Sequence, residues 1–232
     1  MIRLGIPSKG RLMEETFDWF AERGVELART GADREYAAEL RGVEGIAMVL
    51  LSAGEIVREL ASGRIHLGVT GSDLVRETLP GWQGKVEALT AMGFGHADLV
   101  IAVPRGWVDV DTLDDLDAVA AQFRRNHGHR LRIATKYHRL VREFLRRAGV
   151  ADYQLVDSQG ATEGTVANET AEAIADITTT GKTLTDNHLK ALSDGLIHSS
   201  QATLFRSLAA PIGKGDAASL AGLAARLGLT PR

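Results

Sequence analysis

Short apolar runs alternate with amphipathic stretches along the whole chain, and a switching of period 2 with period 3.6 predicts repeated strand–helix units. Residues 2–6 read as a short buried strand, followed by a helix with Leu12, Thr16, Trp19 and Phe20 on one face. Residues 36–40 and 46–51 read as two strands joined by a hairpin-like turn over 41–45, with a helix over 53–62. The run 66–70 is a buried strand that ends in Thr70-Gly71-Ser72-Asp73 and feeds a helix carrying Leu74, Val75 and Leu79. Two β-compatible stretches, 85–91 and 97–103, flank Met92-Gly93-Phe94-Gly95-His96, a glycine-rich piece that reads as a crossing between lobes.

The second half repeats the theme. A helix over 112–126 starts with Asp114 and Asp115 and ends with Arg124 and Arg125, which suits the helix macrodipole. A strand over 131–134 passes through Thr135-Lys136-Tyr137-His138-Arg139 into a helix over 140–148; a strand over 152–156 enters a polar loop over 157–164. Residues 173–177 form a strand, 178–182 a hydroxyl-rich turn, and Thr183 begins a helix carrying Leu184, Leu189 and Leu192. Residues 196–200 read as a strand returning to the first lobe, and 216–227 as a closing helix.

Composition narrows the class. With 232 residues the chain is one large domain or two ordinary lobes, and 44% hydrophobic content suffices for burial. A net charge of -3 gives no general attraction to nucleic acid or to an anionic membrane, so neither is expected as a partner. No run is long and apolar enough to span a membrane, the start Met1 to Pro7 has no signal-peptide pattern, and cysteine is absent. The expected address is the cytoplasm.

The candidate chemistry sits at strand ends. Asp176-Ile177-Thr178-Thr179-Thr180-Gly181-Lys182-Thr183 is a strand, a phosphate-sized turn and a helix start, where free N–H groups and the macrodipole favour an anion. The three threonines add hydroxyl donors, Gly181 lets the backbone close around a phosphate, and Asp176 suits a ribose hydroxyl or hydrated Mg²⁺. The same residues also read as an ordinary β-to-α connection with a threonine cap. The spacing of a Walker loop is absent, which disfavours a triphosphate held there. Lys9 and Arg11 follow the first strand, where open α/β sheets bind ligands, and suit a phosphate or pyrophosphate; solvated surface cations are the other reading. Gly71 and Asp73 form a second such edge, or a plain cap and first-turn acid. The seven histidines make no metal-binding pattern.

In order along the chain, Ile6-Pro7-Ser8-Lys9-Gly10-Arg11-Leu12, Leu67 to Asp73, Gly93-Phe94-Gly95 with Leu99 to Pro104, Arg132 to Tyr137, and Glu163 to Leu184 resemble the motifs of the ATP phosphoribosyltransferases of histidine biosynthesis. Two departures stand out: Ser52 replaces an arginine expected to touch ligand, and Glu169 replaces a glycine, so the backbone there either needs no glycine-only conformation or takes another path. His138 also replaces a proline. The resemblance implies an α/β, two-lobed, type II periplasmic-binding-protein-like fold with a cleft between lobes: lobe I, on the ATP side, over 1–93 plus 198–232, and lobe II, on the donor side, over 94–197. It implies transfer of a phosphoribosyl group from phosphoribosyl pyrophosphate to N1 of ATP. Lys9 and Arg11 would act catalytically. Asp176, Thr178, Thr179, Thr180, Gly181, Lys182 and Thr183 would bind the donor. Arg34, with Gly71 and Asp73, would bind ATP, Arg41 being an alternative source of charge, and Glu163 with Asp176 would hold Mg²⁺. A chain of this length resembles the short form, which lacks a C-terminal regulatory domain and works as a homo-dimer within a hetero-oligomer. Its partner is a regulatory subunit related to histidyl-tRNA synthetase.

Overall fold

A computed structural model describes residues 1–29, 38–41, 43–213 and 215–229. The chain divides into two compact units, Met1–Gly95 with Gln201–Arg232, and His96–Ser200.

Unit 1 begins with β1 (Ile2–Pro7), α1 (Gly10–Ala21), β2 (Glu26–Arg29), β3 (Ala38–Arg41), β4 (Ile46–Leu51) and α2 (Ala53–Ala61). It continues through β5 (Leu67–Gly71), α3 (Ser72–Thr78) and β6 (Val86–Ala91). Unit 2 holds β7 (Ala97–Pro104), α4 (Leu113–His127), β8 (Leu131–Thr135), α5 (His138–Arg147), β9 (Tyr153–Asp157), α6 (Gly164–Ala167), β10 (Ala173–Thr178), α7 (Lys182–Asp186) and β11 (Leu189–Ser200). The chain then re-enters unit 1 as β12 (Ala202–Ser207) and α8 (Asp216–Arg226).

The five-stranded sheet of unit 1 has the order β4-β1-β5-β12-β6, with β4, β1 and β5 mutually parallel and β12 antiparallel to its neighbours. Alternation along β1 sends Ile2, Leu4 and Ile6 into one apolar cluster with Trp19 and Phe20 of α1 and Leu223 of α8. The opposite face meets Ile56, Val57 and Leu60 of α2 and Val75 of α3. That second face depends on a cross-strand glycine pair, Gly5 opposite Gly68. A Cβ on Gly68 would lie 2.6 Å from Ile56 Cγ2 and 3.2 Å from Leu60 Cδ1. Gly68→Ala therefore overpacks the α2 contact, and urea unfolding should register a loss of about 1–3 kcal/mol.

Two expectations fail in this unit. β3 does not pair with β4 as a hairpin; it pairs antiparallel with β2 in a separate two-stranded sheet, while β4 lies parallel to β1. The strand that returns to unit 1 is β12, since residues 196–200 are the end of β11 in unit 2.

The sheet of unit 2 has the order β11-β7-β10-β8-β9, in which β10, β8 and β9 are parallel and β7 is antiparallel to both its neighbours. Among its helices, α4 begins and ends as its sequence dictates. Thr112 and Asp115 form a reciprocal capping box at the start of α4, and Gly128 ends it in the left-handed conformation at φ 74. The helix expected from Thr183 is only the five residues of α7, and Leu189 and Leu192 belong to β11. Pairing explains the misreading. Ala191 faces Ala102 but Leu196 faces Val100, so β11 carries extra residues in a bulge that breaks its period of two.

Candidate active site

In each unit, parallel strands bring the candidate residues to one sheet edge. In unit 1 the carboxyl ends of β1, β4 and β5 lie together, with Ser8 N–H donating to the Leu51 carbonyl at 2.8 Å. Lys9 sits there as the exposed residue before α1, on extended backbone with no side-chain cap. Arg11, in the first turn of α1, is 83% exposed and pairs with Glu15 at 2.9 Å, a surface contact of small worth that a phosphate can displace. Gly71 precedes α3 on extended backbone, and Asp73 in its first turn is buried and bonded within the chain, so it serves the turn before any ligand. Thr70 Oγ1 donates to the Ala53 carbonyl at 3.0 Å, joining this edge to the start of α2. There Ser52 has a structural duty: its hydroxyl accepts from Glu55 N–H at 3.3 Å while Glu55 Oε2 accepts from Ser52 N–H at 2.8 Å. The Ser52 hydrogen bonds hold the Glu55 carboxyl below its usual range. Arg34 and the Arg41 side chain lie outside the described residues.

In unit 2 the corresponding edge gathers the ends of β8, β9 and β10. The turn after β8 folds inward: buried Thr135 accepts from Tyr137 N–H at 2.9 Å, and Tyr137 is 2% exposed. Lys136 is left pointing outward, its Nζ 3.8 Å from Asp176 Oδ1. The parallel register of β8 and β10 creates this contact. In the sequence Lys136 belongs to a basic, hydroxylated turn after a strand, a ligand edge or a solvated helix start alike, and it is not among the candidate site residues; its signal is position, one residue past β8 and beside Asp176. At the end of the neighbouring strand β9, Asp157 Oδ1 lies 3.1 Å from Nε2 of His138, the first residue of α5. Hydrogen bonds from His138 and then Gln159 keep the Asp157 carboxyl below its ordinary range.

Arg132, the motif arginine, is committed to structure. Its backbone N–H donates to Glu172 Oε2 at 2.7 Å, its Nη2 lies 2.5 Å from Glu172 Oε1, and the same nitrogen donates to the Glu169 carbonyl at 2.9 Å. Burial pushes the Glu172 carboxyl up, but the Arg132 hydrogen bonds and charge together outweigh it and hold it below the usual range. Glu169 itself has φ 57, so the backbone does adopt the left-handed conformation that the family glycine would favour. Of the two alternatives, a backbone that needs no glycine-only conformation or one on another path, the structure gives a left-handed conformation that glycine favours and a non-glycine residue nevertheless holds. A non-glycine residue in this region costs roughly 1–2 kcal/mol, and a glycine returns about 0.4–1 kcal/mol of that as chain entropy. Glu169→Gly, which keeps the carbonyl that Arg132 binds, should raise stability by about 0.5–1 kcal/mol in urea titration.

The turn after β10 is tightly self-bonded. Thr178 Oγ1 accepts from Gly181 N–H at 2.9 Å, Thr180 Oγ1 from Lys182 N–H at 3.4 Å, and Thr179 Oγ1 donates to the His96 carbonyl at 3.2 Å. Two N–H groups expected to be free are thus held by the turn's own hydroxyls. The N–H groups of Thr179, Thr180 and Thr183 donate to nothing among the described residues. Gly181 has φ 72 and open space at its Cβ position, so conformation rather than room demands glycine. Lys182 Nζ is paired with Asp186 at 2.8 Å on the surface. Asp176 is half-buried at the strand end, where its Oδ1 also accepts from Ile177 N–H at 2.8 Å. Glu163 is the residue before α6, with no capping bond from its side chain. Among the described residues, no group of three or more His, Cys, Asp or Glu is placed to hold a metal ion.

Comparison with known proteins converges on one family. A family model described as ATP phosphoribosyltransferase (HisG) matches residues 52–227. A protein of Cereibacter sphaeroides named ATP phosphoribosyltransferase is 68% identical over 98% of this chain and 96% of its own. Among solved structures, the ATP phosphoribosyl transferase (HisG:HisZ) complex from Thermotoga maritima matches with a TM-score of 0.74 at 20% identity, over 98% of this chain and 96% of that one. A histidine kinase sensor domain with similarity to periplasmic binding proteins matches with a TM-score of 0.52 at 13% identity, over 98% and 89%. The latter two likenesses concern the fold, which is that of the type II periplasmic-binding-protein class.

Proposed function

The chain belongs to the ATP phosphoribosyltransferase family of histidine biosynthesis, and from that premise we propose that it joins N1 of the adenine of ATP to C1 of phosphoribosyl pyrophosphate. The N1–C1 bond forms as the C1–oxygen bond breaks, and pyrophosphate leaves with the electron pair. The nitrogen lone pair is the nucleophile, so the protein supplies position and charge. This accounts for edges rich in Thr, Gly, Lys and Arg.

The carrying observation is the Lys136–Asp176 contact beside the hydroxyl turn, both at the carboxyl ends of the parallel strands β8 and β10. Asp176 takes the ribose hydroxyls of the donor, and the N–H and hydroxyl groups from Thr178 to Thr183 take its 5′-phosphate. Lys136 adds a cation at the same edge. On unit 1, Lys9 and Arg11 take the pyrophosphate or the ATP phosphates, beside Gly71 and Asp73, with Arg34 completing the ATP side. We assign Mg²⁺ to Asp176 and Glu163, since such an ion is commonly held by one or two carboxylates plus substrate phosphates. Mg²⁺ bound there would neutralise charge on the leaving pyrophosphate.

The relative solved as a HisG:HisZ complex supports a second chain as partner; we take that partner to be a regulatory subunit related to histidyl-tRNA synthetase, around a homo-dimer of this chain in the cytoplasm. No described helix is long and apolar enough to cross a membrane. The test is direct. Purified chain with Mg²⁺, ATP and phosphoribosyl pyrophosphate, with and without the candidate regulatory subunit, should give the ultraviolet change of N1-alkylated adenine. Its absence in both mixtures would sink the reading.

A further inference from the structure

The sheet of unit 2 has two edge strands, and they differ. β11 carries a bulge, one of the devices that keep an edge from pairing with another chain. β9 has none: it runs Tyr153-Gln154-Leu155-Val156-Asp157 in unbroken parallel register with β8, with no proline and no charge before its last residue. A parallel ladder turns alternate residues of a strand toward each neighbour. Ser158 N–H donates to the Thr135 carbonyl at 3.2 Å and the Asp152 carbonyl accepts from Leu131 N–H at 3.1 Å, so the even-numbered residues face β8. Tyr153, Leu155 and Asp157 therefore aim their N–H and C=O groups away from the sheet, where no other strand lies among the described residues.

A cluster of cations flanks the start of this edge. Residues 124–147 hold eight arginines and one lysine against a single glutamate, in a chain whose net charge is -3. Several are already committed: Arg124 pairs with Asp152, Arg132 with Glu172, and Arg139 and Arg147 with Glu143. Arg130, Arg142 and Arg146 are exposed and make no ion pair among the described residues. Arg142 and Arg146 are one turn apart on α5, and Arg130 precedes Leu131, which lies opposite Tyr153. Burial pushes the Tyr153 hydroxyl above its ordinary range while the charges of Arg142, Arg130 and Arg146 pull it back, so all three lie near enough to act on one side chain.

We propose that the outer edge of β9 is the docking surface for the partner chain of the hetero-oligomer, which adds an extended acidic segment to the five-stranded sheet as a further strand. The inference rests on the proposed hetero-oligomer. A polypeptide suits the edge better than a nucleic acid, because what it presents is a row of backbone donors and acceptors at strand spacing. A second copy of this chain suits it poorly, since a two-fold contact at β9 would set the unpaired arginines of one copy against those of the other. Acidic side chains at alternate positions of the added strand would share the face of Tyr153, within reach of Arg142 and Arg146.

Hydrogen exchange and calorimetry on the full chain with the candidate regulatory subunit test the proposal. In the complex the amides of Tyr153 and Leu155 should exchange at least about tenfold more slowly, while those of Gln154 and Val156, already turned to β8, change little. Leu155→Pro removes one outward donor without touching the β8 ladder, a position where edge strands tolerate proline, and should weaken association at least about tenfold. Arg142→Glu with Arg146→Glu should do the same at low salt, and the loss should shrink to within about threefold at about 0.5 M salt. Should Leu155→Pro fail to fold by circular dichroism, the arginine pair and the exchange pattern carry the same test. No association of the unaltered chain with the subunit would overturn the partner and this surface together. Association that survives the folded variants, or protection absent from β9, would overturn the surface alone. So would variants that lose self-association or binding to a single-stranded RNA oligonucleotide while still holding the subunit, which would give the edge to a second copy or to nucleic acid.

Discussion

Asparagine in place of Asp176 should lower kcat/KM for phosphoribosyl pyrophosphate by roughly thirtyfold, equivalent to about 2 kcal/mol for a hydrogen bond to a charged group. The change is conservative for the fold. Asp176 Oδ1 accepts from Ile177 N–H at 2.8 Å, a bond that an amide oxygen can also accept, and the apolar residues Ala173, Ile174 and Ala175 that bury β10 are untouched. What is lost is the charge, and with it the attraction to Lys136 at 3.8 Å and the stronger acceptor for ribose hydroxyls. Because the proposed function puts the residue on the donor side, KM for ATP should move little. Steady-state kinetics with each substrate varied in turn make the check. A donor kcat/KM within twofold of the unaltered chain would remove Asp176 from the ribose and leave it a strand-end acid.

The strands and their carboxyl edges were legible because they rest on short-range signals. Ile2, Leu4 and Ile6 alternate along β1, Thr16, Trp19 and Phe20 fall on one helical face, and β5, β8 and β10 end at Gly71, Thr135 and Thr178. Pairing was less legible because it rests on contacts remote in sequence. Nothing local in the four residues of β2 announces β3 as its partner. Leu184, Leu189 and Leu192 have a spacing that passes for a helix although only Leu184 lies in one, and only alignment against β7 reveals the strand that holds the other two. The site shows the same division. Gly181 and Asp176 could be named because a turn residue type and a strand end carry meaning alone. Lys136 could not, since a lysine acquires its role from the carboxylate that a parallel neighbour places beside it. Ser52, which looked like the loss of a ligand-binding arginine, also gains its meaning from a partner, Glu55, three residues on.

The second large effect is expected from the turn itself. Thr180→Val combined with Gly181→Val should raise KM for phosphoribosyl pyrophosphate at least about tenfold while KM for ATP stays within twofold. A β-branched residue at φ 72 is strongly disfavoured, so the backbone at 181 leaves the left-handed region and the N–H that Thr178 Oγ1 accepts is displaced. Valine at 180 removes the hydroxyl that accepts from Lys182 N–H, loosening the other half of the same turn. The damage stays local. A Cβ at 181 meets nothing within 4 Å, and the buried Leu184 that anchors α7 is unchanged. Binding rather than chemistry is hit, because the 5′-phosphate is remote from C1 and is held alike before and during transfer. Lys9→Ala provides the contrast: if Lys9 meets the departing pyrophosphate, one of the two placements proposed for it, it acts mainly as charge develops, and its loss should slow turnover by more than about tenfold, roughly 1.4 kcal/mol. If both variants changed only KM for the donor, Lys9 would bind the ground state alone; if the turn variant left that KM unaltered, the phosphate would have to be held elsewhere in the chain.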